Sequence, residues 1–122
     1  MSKFCSNTVF DAALTKISTA TRMIAMSGQP ATYAAADSGR LSEAAVAPAD
    51  FTLANGDVSG RKVVVAAKSG LGVVAAGTVD HIALLDGVNQ VLLYVTTCPA
   101  QAIVAGGTVS LASWQVEIEQ PS

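Results

Sequence analysis

One histidine, two cysteines and a scatter of carboxylates are what this 122-residue chain offers for chemistry. A general base needs an acidic partner or a nucleophile within hydrogen-bond reach. His81 lies in Thr78-Val79-Asp80-His81-Ile82-Ala83, a strand-like run. Strand alternation sends Asp80 and His81 to opposite faces, which disfavours an acid–base dyad and makes His81 a structural residue. Cys5 and Cys98 have no sequence-visible activator. No Gly-x-Ser-x-Gly elbow exists. Ser69-Gly70-Leu71-Gly72 lacks the lysine and following helix of a phosphate loop. Glu117 and Glu119 share a strand face and could meet a cation, but a solvated strand face accounts for them far better. There is no Cys-x-x-Cys and no zinc spacing. The sequence therefore points away from an enzyme, with no cofactor and no metal. Trp114 and Tyr94 fall inside strands and are expected in the core. Tyr33 falls in a connecting segment and is the better contact residue.

Composition narrows the classes further. The hydrophobic share is 51% and the charged share 13%. About 25% charge is usual, so either small polar residues cover the surface or an assembly buries much of it. The net charge is −2, and no basic cluster exceeds Arg61-Lys62, so no nucleic-acid partner is expected. Residues 87–116 are uncharged, but Asn89, Gln90, Pro99, Gln101, Gly106-Gly107 and Gln115 argue against a spanning helix. Met1-Ser2-Lys3-Phe4-Cys5 has no apolar run behind it, so no export signal is read there and folding in a cytoplasm is expected. Free thiols follow from that compartment; a Cys5–Cys98 disulfide would instead close most of the chain into one loop.

The elements that would position these residues are mainly β, within a single domain spanning 1–122. Residues 6–19 predict one helix, capped by Ser6 or Asn7, with Asp11 in its first turn and an apolar stripe of Val9, Phe10, Ala13, Leu14 and Ile17. Thr21–Ser27 predicts a strand, and 29–50 a long surface loop with one or two short turns. Strands follow at Phe51–Ala54, Arg61–Lys68, Val73–Ala75 and Thr78–Leu85, with turns at Asn55-Gly56-Asp57 and Ser69–Gly72 and a bulge at Gly77. Gln90–Cys98 is apolar on both faces and reads as a central strand ended by Pro99. Gln101–Ala105 and Thr108–Glu119 predict a final pair around Gly106-Gly107. The expected fold is a small antiparallel β-sandwich or barrel with one N-terminal helix.

The order of these segments resembles a group of short virion structural proteins encoded by tailed bacteriophages. The matching stretches are Phe10-Asp11-Ala12-Ala13-Leu14, Gln29–Ala36, Ser59-Gly60-Arg61-Lys62-Val63, Gly77–Asp86, Leu92–Cys98, Gly106-Gly107-Thr108-Val109 and Trp114–Ile118. The resemblance implies a non-catalytic component of the virion, most specifically a capsid decoration or cement protein. Its partners would be the major capsid protein and copies of itself, with no nucleic acid and no membrane. A head–tail connector, collar or tail component is the alternative, and a ligand-binding β-module, for surface glycans, the remote one. The N-terminal arm 1–8 and the loop 29–50 are least committed to the core. Lys3, Phe4, Tyr33, Arg40 and Leu41 are accordingly the expected partner contacts.

Overall fold

A computed structural model describes residues 3–121. Strand accounts for 50% of residues and helix for 17%, so the chain is mainly β, with antiparallel sheets stacked like a sandwich and no closed barrel.

Helix α1 spans Asn7–Ile17, and Ser6 caps it by accepting a hydrogen bond from the Thr8 N–H at 3.2 Å. Asp11 lies beyond the first turn and pairs with Arg61 at 2.8 Å instead of serving the helix dipole. Strand β1 (Arg22–Met26) is buried along almost its whole length. Its alternation splits two cores: Met23 and Ala25 enter the large core, while Ile24 and Met26 enter a smaller one. The small core is capped by α2 (Tyr33–Ser38) through Ala36. Strand β2 (Arg40–Ala45) then pairs with the free side of β1.

Segment 29–50 is thus not a long loop. It holds α2, β2 and a 3-10 turn at Pro48–Asp50. Leu, Glu and Ala favour helix over strand, so local propensity hid β2; pairing with β1 overrides it. Gly28, with φ +75°, makes the reversal after β1.

Beyond it come β3 (Phe51–Asn55), β4 (Arg61–Val65), β5 (Lys68–Gly72), β6 (Gly77–Asp86), β7 (Val91–Ile103), β8 (Thr108–Leu111) and β9 (Trp114–Ile118). They form sheets ordered β2-β1-β6-β7, β3-β4-β9 and β5-β8. Leu14 of α1 packs on Val63 and Val116, so the helix covers the β3-β4-β9 sheet.

Five strand readings are corrected. Ser69–Gly72 is not a turn but part of β5, irregular around Gly70 at φ +66°. Gly77 is not a bulge; it opens β6 against the Leu41 side chain. Gln101–Ile103 belongs to β7 and pairs with β6, not with the chain's last strand. Finally, β7 is not central but the outermost strand of its sheet. Its faces are covered, since Leu92 and Val95 meet the small core and Leu93 and Tyr94 the large one. Covered faces do not imply lateral neighbours, so an apolar run on both faces can still form an edge. Pro99 does not end β7 either. Between the Val79–Gln101 and His81–Thr97 pairs, Asp80 alone faces Cys98, Pro99 and Ala100. An edge bulge tolerates a residue with no N–H.

Candidate interaction surfaces

The same bulge changes the reading of the histidine. Val79 and Ile82 both enter the large core, three positions apart, so the alternation skips one residue between them. Asp80 and His81 therefore come together: His81 Nδ1 lies 2.7 Å from Asp80 Oδ1. Asp80 Oδ1 also accepts the Gly28 N–H at 2.8 Å. Chiefly the His81 hydrogen bond, and then that of Gly28, hold the Asp80 carboxyl below its ordinary range. The predicted separation of these two side chains is wrong. The pair nonetheless staples the turn after β1 to β6, and no third group is bonded to His81 among the described residues. His81 pairs with Met26 on the small-core side. Cys98 packs against the large core instead. Burial, and secondarily the charge of Asp80, push the Cys98 thiol up, so its reactive thiolate is disfavoured. Cys5 and Cys98 are both free thiols.

Of the expected contact residues, Tyr33 and Arg40 are brought together by a residue the sequence did not single out. Arg22, at the start of β1, donates from Nε and Nη2 to both oxygens of Glu43 at 2.8 Å each. It also donates to Asp37 Oδ1 at 2.7 Å and to the Tyr33 hydroxyl at 2.9 Å. Arg40 Nη1 reaches the same Asp37 oxygen at 3.0 Å. Ile24 pairs with Glu43, and Arg22 sits two residues before Ile24, so both charges stand on one face beneath α2. The Arg22 guanidinium holds the Glu43 and Asp37 carboxyls below the usual range, and those partners raise Arg22 in turn. The network ties α2 to the β1–β2 pair; Tyr33 is one of its fixed members. No sequence spacing could reveal it, because its members come from β1, α2 and β2. Leu41 is corrected as a contact: it is 9% exposed, and its side chain enters the large core.

At the N-terminus, residues 1 and 2 of the predicted arm lie outside the described residues. From Cys5 the arm is clamped. The Gln120 side chain accepts the Cys5 N–H at 3.0 Å and donates to the Cys5 carbonyl at 2.8 Å. The Gln120 backbone N–H donates to Ser59 Oγ at 3.0 Å. This clip gathers the N-terminal segment and the β3–β4 turn at one end of the β3-β4-β9 sheet. Phe4 beside Cys5 is 75% exposed, and Val58 beside Ser59 is 79% exposed. Lys3 precedes Phe4 on this segment.

A cavity of about 380 Å³ opens elsewhere, between β7 and the β8–β9 corner. Thr96 to Pro99 and Gln101 form one wall, Ser110 to Gln115 the other, with Val79 and Ile82 beneath. Trp114 of this wall stacks on Tyr94, with ring centroids 6.0 Å apart and 21° between planes. Its Nε1–H is buried with no hydrogen-bond partner. Elsewhere the Glu117 carboxylate is engaged by the Asp57 N–H. Among the described residues, no group of three or more His, Cys, Asp and Glu side chains is placed to hold a metal ion. No helix among them is long and apolar enough to cross a membrane.

No protein-family model, curated protein or solved structure matches this chain.

Proposed function

We propose that this protein is a structural component of a bacteriophage virion, acting as a capsid decoration or cement protein through protein–protein contact. The observation that carries the reading is the exposed apolar pair at the Gln120 clip, Phe4 and Val58, on a β scaffold whose charged share is only 13%. Large side chains at 75% and 79% exposure, set beside a hydrogen-bonded anchor, suit burial by a neighbouring subunit. The resemblance of the segment order to phage virion proteins supplies the setting. The partners are the major capsid protein and copies of this chain. Binding only the expanded shell would stabilise it by mass action.

The expected contacts are revised to Phe4 and Val58, with Lys3 flanking, while Leu41 is withdrawn. Deleting residues 1–5 would also remove the Cys5–Gln120 clip, so Phe4→Ser is the cleaner test. It should weaken binding to purified particles and leave thermal stability unchanged. Quantitative mass spectrometry of particles gives the second measurement. A copy number near that of the major capsid protein supports cement. A count of a small percentage places the chain in the connector, collar or tail. Absence from particles overturns the virion reading.

A further inference from the structure

We propose that the cleft between β7 and the β8–β9 corner is a strand-acceptor site. It takes an uncharged, extended segment of a partner protein, which pairs along the open edge of β7 and lowers an apolar side chain into the cavity. The proposal does not depend on where the protein works, and it uses a surface apart from the Gln120 clip.

Strand edges make the first argument. Strands β7, β8 and β9 are each outermost in their own sheets, and all three contribute residues to the cleft wall. No backbone hydrogen bond joins β7 to β8 or β9 among the described residues. A free edge presents a row of backbone donors and acceptors, which proteins ordinarily guard with charge, proline or bulges. β7 runs 13 residues, Val91–Ile103, without one Lys, Arg, Asp or Glu. Its guards are the Pro99 bulge and an irregularity near Leu93. Between them, Tyr94 to Thr97 is regular and open.

Charge makes the second. The cleft wall contains no Asp, Glu, Lys, Arg or His. Thr96, Gln101, Ser110 and Ser113 line it instead, over a floor of Val79, Ile82 and Leu111. An ionised side chain entering such a place would lose water and find no counter-charge. The matching segment is therefore neutral, apolar toward the floor and hydroxyl-bearing toward the rim. Trp114 adds an apolar aromatic surface to this wall.

Size makes the third. About 380 Å³ lies at the small end of binding cavities, which run roughly 300–1,000 Å³. That accommodates one or two side chains of a strand, whose alternate residues point to one side. Main-chain pairing would supply affinity and the cavity would select the side chain.

Trp114 is the chain's single tryptophan, so its emission reports on the cleft. The probes are capped heptapeptides, acetyl-Thr-Val-Thr-Xaa-Thr-Val-Thr-amide, with Leu, Ile, Phe, Lys or Glu at the centre. Titration into the full chain should give a saturable emission change with at least one apolar centre. The Lys and Glu peptides should bind at least tenfold more weakly. Amide exchange at 94–97 should slow in the complex. Gln101→Lys and Ser110→Lys, both at exposed positions, should each weaken binding at least tenfold without lowering the melting temperature. No saturable change with any apolar peptide up to millimolar concentration overturns the proposal. So does equal binding of the charged peptides, or binding indifferent to both lysine variants.

Discussion

Replacing Arg22 by methionine removes the centre of the α2–β1–β2 network while keeping most of its aliphatic length. Two of the four hydrogen bonds of Arg22 form a fork on Glu43, at 2.8 Å each. Charge-assisted bonds of this type contribute roughly 1.5–3 kcal/mol when shielded from water. The Arg22 side chain is 19% exposed and Glu43 34%, so screening brings the fork down toward about 1–2 kcal/mol in total. Losing the Tyr33 hydroxyl partner adds about 1 kcal/mol. Arg22→Met is therefore expected to cost about 2–3 kcal/mol. A urea melt followed by Trp114 emission should lose about 1–1.5 M in midpoint, for a slope near 2 kcal/mol/M. Arg22→Lys keeps the charge and loses the fork, so it should recover less than half of the deficit. The pH dependence carries a sign. Glu43 and Asp37 are depressed in the folded state, chiefly by Arg22. Their contribution is complete above the unfolded carboxylate pKa of about 4 and disappears as pH falls through the lower folded values. The gap between wild type and Arg22→Met should thus be full at pH 7 and shrink below about pH 4 toward the roughly 1 kcal/mol of the Tyr33 hydrogen bond. A gap under about 0.5 kcal/mol at pH 7, or one unchanged by acid, refutes the reasoning and reduces the network to ordinary surface pairs.

Leu14 is fully buried between α1 and the β3-β4-β9 sheet, so Leu14→Ala should cost about 2–5 kcal/mol in a urea melt and speed amide exchange in α1. Gly60 has φ +68°, and a Cβ there would sit 1.9 Å from the Ile118 carbonyl oxygen. Gly60→Ala should therefore destabilise the fold by more than the ~1–2 kcal/mol of a left-handed alanine, because β4 and β9 must also separate; an unchanged melt refutes the turn geometry. Gln120→Ala should accelerate alkylation of Cys5 but not of Cys98, since only Cys5 is held by that side chain.

Class and helix were legible because they depend on local pattern. The apolar spacing of Phe10, Leu14 and Ile17 specifies a face wherever it docks, and Ser6 caps it from next door. The turn at 55–60 was legible for a similar reason, although Gly60, not Gly56, carries the positive φ. What stayed hidden depends on partners distant in sequence. β2 is a strand only because β1 offers its edge; Ser42 is buried there with its hydroxyl given to the Gly72 carbonyl at 2.9 Å. Arg22 looked like one more strand residue, because Tyr33, Asp37 and Glu43 meet it only after α2 folds over the sheet. The contact residues divided accordingly. Phe4 is exposed beside its anchor, while Leu41 was assigned to a surface that became core.

Pro99 links the two features that strict alternation could not place. A proline cannot donate to the ladder, and the β6–β7 pairing breaks where it stands, with Asp80 opposite Cys98, Pro99 and Ala100. On β6 the break shifts the alternation by one residue, which turns Asp80 and His81 from opposed neighbours into a bonded pair. On β7 the three-residue bulge forms part of the cleft wall, with Cys98 and Pro99 lining it. The bulge at Pro99 thus has consequences on both strands: it fixes the turn after β1 through Asp80 and Gly28, and it shapes the mouth of the cavity. A regular strand in its place would separate the histidine from its carboxylate and present an unbroken edge. The bulge leaves only Tyr94 to Thr97 as regular open backbone beside the cavity, enough for a short segment and too little for sheet-to-sheet association along the whole of β7.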